Sequence, residues 1–219
     1  MVFSREQFVH LAVTAQVLVA SDPNAVPAAA AAAARGELVI LPTDTVYGVA
    51  TTAADESAVK RLFLAKRRPW DKGIPILIAD VSVLEDIVLG VPSGAWKLMD
   101  EFWPGPLTIV LPKRPDLPDA LSQTAAIAVR MPDLPVCRDI IGVAGGALAV
   151  TSANLSGHAP ATTAEMALYD LAGYVSIAVD AGPSPMQQAS TVVDCTVQPW
   201  RILRRGPIPV DSIMGASRG

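Results

Sequence analysis

The feature that most constrains the fold is the alternation of short apolar runs with helical segments along the first two thirds of the chain. Each run is bounded by glycine, proline or polar residues, which is typical of a buried strand. The clearest runs are ELVILP, IPILIAD, PLTIVLP, IAVRMP and ALAVTS. Three further strand-like segments then follow in succession: VSIAVDAG, STVVDCT and WRILRRG. This order predicts one α/β domain with a mixed sheet.

The segments between the apolar runs carry helix signals. The segment from Ser21 to Gly36 is rich in alanine, the best helix former, and ends at a glycine. Asp55 or Ser57 begins a second helix, and we expect Pro69 to end it because a residue before proline disfavours helical backbone. Further helices are predicted in SVLEDIVLG, SGAWKLMDEFWPG, VCRDIIGVAG and AEMALYDLAG.

We divide the chain into three parts. Residues 1–24 form a lead-in that is either a short amphipathic helix begun by Ser4 or a first strand, TAQVLVA. Residues 25–210 form a single domain, and residues 211–219 a C-terminal tail. No apolar run reaches the roughly 20 residues that span a bilayer, so no membrane association is expected. The two cysteines lack a C-x-x-C spacing, and we interpret them as reduced core residues of a cytoplasmic protein.

The positive charge of this acidic chain is concentrated in one place. The formal net charge is −4, which argues against wholesale wrapping of nucleic acid, yet residues 60–72 hold six of the 17 lysines and arginines. Cations near a helix C-terminus complement the helix dipole, which accounts for Lys60, Arg61 and Lys66. It does not account for Arg68 and Lys72, which lie beyond the helix. A local site for a phosphate or carboxylate is therefore an open interpretation.

Other polar residues lie where predicted strands give way to loops, the place where ligands bind in open α/β sheets. TDT follows one strand, TSAN follows another, and Arg130 ends a third. Ser152 in TSAN lacks the G-x-S-x-G setting of a hydrolase nucleophile, and nothing brings His158 to it. Serine and asparagine suit hydrogen bonds to a phosphate or carboxylate, although simple turns also use them. Two histidines and no clustered ligands argue against a structural zinc site.

Taken in order, these blocks resemble one known family. The series is LPTDTVYGVA, KRRPWDKG, FWPGPLTIVL, AVRMPDLP, VTSANLSGHAPATT, ASTVVDCT and RILRRGPI. It resembles the YrdC family, the threonylcarbamoyl-AMP synthases, from about residue 25 to about residue 210, in the single-domain form without the extra C-terminal domain of longer members. The resemblance implies an α/β fold with a twisted mixed β-sheet, flanking helices and a concave, positively charged ligand cleft.

The resemblance also implies a nucleotidyltransferase. Its reaction converts L-threonine, bicarbonate and ATP to threonylcarbamoyl-AMP (L-threonylcarbamoyladenylate) and diphosphate. The product supplies the t6A37 modification of tRNA through a downstream tRNA threonylcarbamoyl transferase complex. Mg²⁺ is expected to arrive with ATP, with no metal ligands from the protein and no tightly bound organic cofactor.

The implied site residues form two groups. The ATP-binding residues are Lys66, Arg68, Lys72, Asn154, Thr162 and Arg204, the first three of them through the phosphates. The threonine-binding residues are Thr45, Arg130, Ser152 and Ser190, with Arg130 taking the carboxylate in a fork. No residue is assigned as a covalent nucleophile, so catalysis is expected from positioning and electrostatics. Leu77, Ala189 and Arg205 depart from residues frequent in the family.

Two other functions are kept as alternatives. A module that binds double-stranded or structured RNA, even weakly, would use the basic surface without ATP turnover. The net charge of −4 counts against it. A paralogue that handles carbamoyl-adenylate is the second alternative, and the absence of acylphosphatase and zinc-finger segments counts against that.

Overall fold

The computed structural model describes residues 14–216. The strands are β1 Gln16–Val19, β2 Val39–Leu41, β3 Gly48–Thr52, β4 Ile76–Ile78, β5 Leu107–Pro112, β6 Ala126–Arg130, β7 Ala147–Ser152, β8 Ile177–Asp180, β9 Thr191–Asp194 and β10 Arg201–Arg204. The helices are α1 Ala25–Ala34, α2 Glu56–Lys66, α3 Ser93–Phe102, α4 Pro135–Val143, α5 Ala164–Leu171 and α6 Val210–Ala216, with a 3₁₀ helix at Val81–Asp86. None of the helices within this range has the length and apolarity that a membrane crossing requires.

All the described strands join one sheet in the order β1-β8-β2-β3-β7-β4-β6-β5-β9-β10. The pairs β1/β8, β8/β2, β4/β6 and β5/β9 are parallel, and the other neighbours are antiparallel. The predicted α/β class with a mixed sheet and flanking helices is confirmed.

The two faces of the sheet are covered to different extents. Alternate residues point to opposite faces, so Ile40, Val49 and Ile76 face a large core that includes residues of α2, α3, α5 and α6. The opposite face carries Leu77 and Leu148, which pack with α1 and α4 in a second core. These two helices cover only part of that face. The candidate site lies on the same face beside this core, and Leu77 belongs to both.

The structure contains two elements that the sequence did not predict. Strand β3 directly follows the TDTVYG loop and pairs with both β2 and β7. Its Gly48 is needed there, because a Cβ atom at this position would lie 2.6 Å from Val150 Cγ1. Helix α6 occupies most of the expected tail, with Ile213 fully buried. In the lead-in, β1 matches the strand interpretation, and the helix begun by Ser4 falls outside the described residues.

Helix α2 begins as predicted and ends earlier than predicted. Asp55 is the N-cap, and its carboxylate accepts a hydrogen bond from Ser57 N at 2.8 Å. Arg68 lies beyond the helix, as predicted, but Pro69 is not the residue that ends it. The helix ends at Lys66 because Arg67 adopts a left-handed conformation with φ of 51°, two residues before the proline. This turn directs the following residues away from the helix axis and toward the open face of the sheet.

Candidate active site

A cleft of about 170 Å³ lies on the open part of the sheet face. Its lining comes from the loop between β2 and β3, the strands β4 to β7, and the segments around β9 and β10. The lining includes these residues implied by the family resemblance: Thr45, Arg68, Arg130, Ser152, Ser190 and Arg204. Residues separated by more than 150 positions in the chain are thus brought to one cavity by the strand order.

The loop between β2 and β3 is held in shape by its own threonines. The Thr43 hydroxyl donates to Val46 O at 2.6 Å and accepts from the backbone N–H groups of Thr45 and Val46. The Thr45 hydroxyl lies 2.9 Å from that of Thr43 and accepts from Arg130 Nη1 at 2.7 Å. This network fixes the Thr45 side chain at the cleft wall without any ligand.

Arg130 is the most enclosed cation in the cleft lining, with 5% of its surface exposed. Besides Thr45, it donates from Nε to Gly105 O at 2.9 Å and from Nη2 to the carboxylate of Asp44. Burial lowers the pKa of Arg130, and the Asp44 carboxylate opposes that change. Three of the five N–H donors of a guanidinium are used in this way, so its plane is fixed before a ligand arrives.

Asp44 is the buried partner of Arg130, and the sequence did not assign it to the site. It is 2% exposed, it pairs with Arg130 through Oδ1, and its Oδ2 is buried without a hydrogen-bond partner. Removing one partner of a buried ion pair leaves an uncompensated charge, which is strongly destabilising. The TDT motif contains Asp44, but its pairing with Arg130 depends on a contact between elements that are far apart in the sequence.

A second polar group joins β5, β9 and β10. Thr108 Oγ1 lies 2.7 Å from Ser190 Oγ, and Arg204 donates to both Ser190 O and Ser190 Oγ, at 2.9 and 3.0 Å. Thr108 was not predicted as a site residue. The sequence signal for it was a polar residue inside the apolar run LTIVLP. Because side chains alternate between the faces of a strand, Thr108 lies on the same face of the sheet as Arg130.

Arg68 reaches the cleft from the loop after α2. Its Nε donates to Lys72 O at 2.9 Å and its Nη2 to Gly73 O at 2.8 Å, so the loop folds back on the guanidinium. Burial, followed by the charge of Arg204, lowers the pKa of Arg68. Burial, followed by the charge of Arg130, lowers the pKa of Arg204. Arg204 thus interacts unfavourably with both Arg68 and Arg130, and three guanidinium groups around one cavity favour the binding of an anion.

Lys66 does not line the cleft. Its side chain is 1% exposed, and its ammonium group donates to the backbone carbonyls of Ser152 and Asn154. Burial is the largest cause that lowers the pKa of Lys66, to about 7. Lys66 therefore organises the backbone that carries Ser152, and its implied contact with phosphate remains a prediction.

The other implied nucleotide contacts lie around the cleft rather than in its wall. Asn154 is buried and donates from Nδ2 to Leu155 O and His158 O, while its Oδ1 has no hydrogen-bond partner. Thr162 lies close to Met166, with Oγ1 3.4 Å from Sδ. Lys72 is exposed on the loop of Arg68. The assignment of these residues to ATP remains a prediction.

The chemistry of the site does not include a hydrolytic pair or a protein metal centre within the described range. His158 Nδ1 lies 3.1 Å from the carboxylate of Asp170, and no hydrogen bond joins it to Ser152. Among residues 14–216, no three His, Cys, Asp or Glu side chains are grouped so that they could hold a metal ion. The cleft offers hydroxyls, N–H groups and guanidinium groups, which bind anions and polar small molecules.

Comparisons with known proteins show which proteins the chain is similar to. A family model named for Sua5, YciO and YrdC and described as "Telomere recombination" matches residues 31–206. The protein named "Putative threonylcarbamoyl-AMP synthase" of Mycobacterium tuberculosis is 41% identical over 81% of this chain and 82% of its own length. The threonylcarbamoyl-AMP synthase of Bacillus subtilis is 40% identical over 88% of this chain, which covers 56% of that protein.

A solved structure extends the likeness to the fold. The structure of Pyrococcus abyssi Sua5 complexed with L-threonine matches with a TM-score of 0.85 and 38% identity, over 87% of this chain and 56% of that one. The shared fold therefore extends over most of this chain and about half of that protein. The matched range and the identities show that the chain belongs to the Sua5/YciO/YrdC family.

Proposed function

We propose that the protein is an L-threonylcarbamoyladenylate synthase, which converts L-threonine, bicarbonate and ATP to threonylcarbamoyl-AMP and diphosphate. The observation that carries this proposal is the gathering of Arg68, Arg130 and Arg204 with serine and threonine hydroxyls around one cleft. The names of the curated relatives and the L-threonine bound to Pyrococcus abyssi Sua5 support the same reaction.

The reaction needs an electrostatic site rather than a nucleophilic side chain. The neutral amine of L-threonine forms a bond to the carbon of bicarbonate, a C–O bond of bicarbonate breaks, and one water leaves, so that the amine becomes a carbamate. A carbamate oxygen then forms a bond to the α-phosphorus of ATP, and the bond from that phosphorus to the diphosphate oxygen breaks. Because one anion approaches another, fixed cations lower the barrier by screening the approach and holding the departing diphosphate.

In this proposal the side chains divide between the two substrates. Arg130 and Thr45, already fixed by hydrogen bonds, receive the carboxylate and hydroxyl of L-threonine together with Ser152 and Ser190. The triphosphate lies toward the loop that carries Arg68 and Lys72 and toward Arg204, with Asn154 and Thr162 as further contacts. Lys66 lies behind the cleft wall and acts indirectly, through its hydrogen bonds to the backbone carbonyls of Ser152 and Asn154.

Mg²⁺ enters this scheme with its nucleotide. The cleft lining contains no carboxylate among the described residues, and Asp44 lies behind the wall in its pair with Arg130. This donor set fits a metal carried by the phosphates of ATP, where it neutralises charge on the departing diphosphate. The protein residues would then bind and orient the Mg·ATP substrate, and no tightly bound organic cofactor takes part.

The product defines where the protein acts. Threonylcarbamoyl-AMP is a reactive mixed anhydride, so we place a tRNA threonylcarbamoyl transferase complex directly downstream, where it completes t6A37 in tRNA. We place both steps in the cytoplasm, where tRNA, ATP and bicarbonate occur together. We assign the synthase activity to residues 25–210 as one domain.

The decisive experiment is an assay with ATP, L-threonine and ¹⁴C-bicarbonate. Labelled threonylcarbamoyl-AMP and diphosphate should form together, and omission of any substrate should abolish both. Formation of neither by freshly purified, folded protein would overturn the proposal. RNA binding with a steep salt dependence in such a protein would support the RNA-binding alternative instead.

A further inference from the structure

The loop of residues 152–158 carries two of the proposed substrate contacts and is held from two sides. It follows β7 and leads toward α5. On one side α2 supplies Lys66, whose ammonium donates to Ser152 O and Asn154 O and whose own carbonyl accepts from Ser156 N at 2.8 Å. These contacts fix the loop backbone at Ser152, Asn154 and Ser156. They do not include Leu155 and His158.

On the other side α5 supplies Asp170. Its Oδ2 accepts a hydrogen bond from Leu155 N at 2.8 Å, and both carboxylate oxygens lie 3.1 Å from His158 Nδ1. The Asp170 side chain is 9% exposed, whereas that of His158 is 56% exposed. The carboxylate is therefore directed inward, at the loop backbone, and not into solvent.

The position of Asp170 in its helix indicates a role outside that helix. It lies in the last turn of α5, where a negative charge is unfavourable next to the carbonyl end of the helix dipole. A buried carboxylate also has to recover its lost hydration through hydrogen bonds. Both costs are met by the contacts with Leu155 and His158, which belong to the loop.

Asn154 connects the contacts of Asp170 with those of Lys66. The Asn154 side-chain amide donates to Leu155 O and His158 O, at 2.8 and 3.0 Å, and these are the two residues that Asp170 holds. Lys66 holds the backbone carbonyl of the same asparagine. The Asn154 side chain is thus oriented by two opposite charges that lie on two different helices.

We propose that Asp170, acting together with Lys66, is a positioning residue that fixes the loop of residues 152–158 in the shape that presents Ser152 and Asn154 to the substrates. This inference rests on the proposed function. Asp170 touches no substrate and acts through the loop. The negative charge of Asp170 also favours the protonated form of Lys66. We call these two side chains, Asp170 and Lys66, the clamp.

The charges around Lys66 give the clamp a pH signature. Burial, followed by the neighbouring Arg68, lowers the pKa of Lys66, and the Asp170 carboxylate partly opposes this, which leaves the pKa at about 7. His158 contacts Asp170 from the loop. Without the Asp170 charge, Lys66 loses its proton at a lower pH than in the wild type. The alkaline limb of a pH–rate profile should therefore move to lower pH.

The test compares Asp170→Asn with Glu165→Gln, which removes a negative charge from an exposed position in the first turn of the same helix. For Asp170→Asn we expect kcat/KM for ATP to fall by about 10- to 100-fold, the usual effect of losing hydrogen bonds to a charged group. We also expect the alkaline limb to shift down and amide exchange of residues 153–158 to accelerate. Glu165→Gln should change none of these.

His158→Asn tests one half of the Asp170 contacts, because the hydrogen bond from Leu155 N to the Asp170 carboxylate remains. This variant should therefore lose less activity than Asp170→Asn. A folded Asp170→Asn protein whose rate, pH profile and loop exchange equal those of Glu165→Gln would overturn the clamp. Inactive wild-type protein would overturn the proposed function instead. In that case loop exchange still decides whether Asp170 fixes the loop, because it requires no turnover.

Discussion

At the scale of single residues, the basic stretch after α2 divides into side chains with different tasks. Arg68 lines the cleft, whereas the neighbouring Arg67 is exposed and lies outside its lining. Arg68→Ala should reduce kcat/KM for ATP by about 10²-fold or more, as expected for the loss of a cation that stabilises developing charge. Arg67→Ala, the matched control, should stay close to wild type in the same diphosphate-release assay. Equal and small effects would contradict the assignment of Arg68.

Lys66 should behave differently from Arg68, because its ammonium satisfies buried carbonyls inside the protein. Lys66→Ala leaves those acceptors without a partner and should lower the free energy of unfolding by about 1–3 kcal/mol. Urea denaturation followed by circular dichroism measures this. Lys60→Ala on the exposed face of the same helix, where only an ion pair with Glu56 is lost, should cost less than about 0.5 kcal/mol. A Lys66 variant as stable as the Lys60 variant would show that the ammonium is not structural.

At the scale of elements, the sequence predicted most strands and helices because their apolar runs and caps are local signals. Strand β3 escaped prediction because GVATT has small residues and becomes a strand only between β2 and β7. The end of α2 escaped because a left-handed arginine, without glycine or asparagine, carries no sequence signal. The same limit applies to the site. Polar motifs identified Arg130, but the burial of Lys66 and the partners of Asp44 and Asp170 depend on contacts between distant elements.

The turn at the end of α2 yields a prediction at this scale. Arg67 adopts a φ of 51°, which costs a residue with a Cβ atom about 1–2 kcal/mol, whereas glycine adopts it freely. Arg67→Gly should therefore raise the free energy of unfolding by up to about 1 kcal/mol, after the larger entropy of the unfolded glycine chain is subtracted. Arg67→Ala retains the Cβ atom and should give no gain. A loss of stability in the glycine variant, measured in parallel urea titrations, would contradict the strained turn.

At the scale of the whole molecule, one sheet serves two purposes because its faces are covered unequally. Helices α1 and α4 pack on the part of one face that carries Leu77 and Leu148. Beside these helices, Thr108, Arg130 and Ser152 lie on the same face and line the cleft. Strand alternation alone predicts which residues share a face. It does not predict how far the covering helices extend over that face, because this depends on the strand order. For this reason the cleft was predicted only through the family resemblance.

Since the cleft draws residues from strands across most of the sheet, binding there should stabilise the entire domain. A ligand at about 100 times its Kd adds about 2.7 kcal/mol to the free energy of unfolding, or about 5–10 °C in Tm for a domain of this size. L-Threonine and Mg·ATP should each raise Tm in differential scanning fluorimetry, and D-threonine should not. Arg68→Ala should remove most of the shift with Mg·ATP and keep that with L-threonine, because Arg68 lies on the nucleotide side of the cleft. If neither ligand raised the Tm of wild-type protein at saturating concentration, the cleft would not be the substrate site.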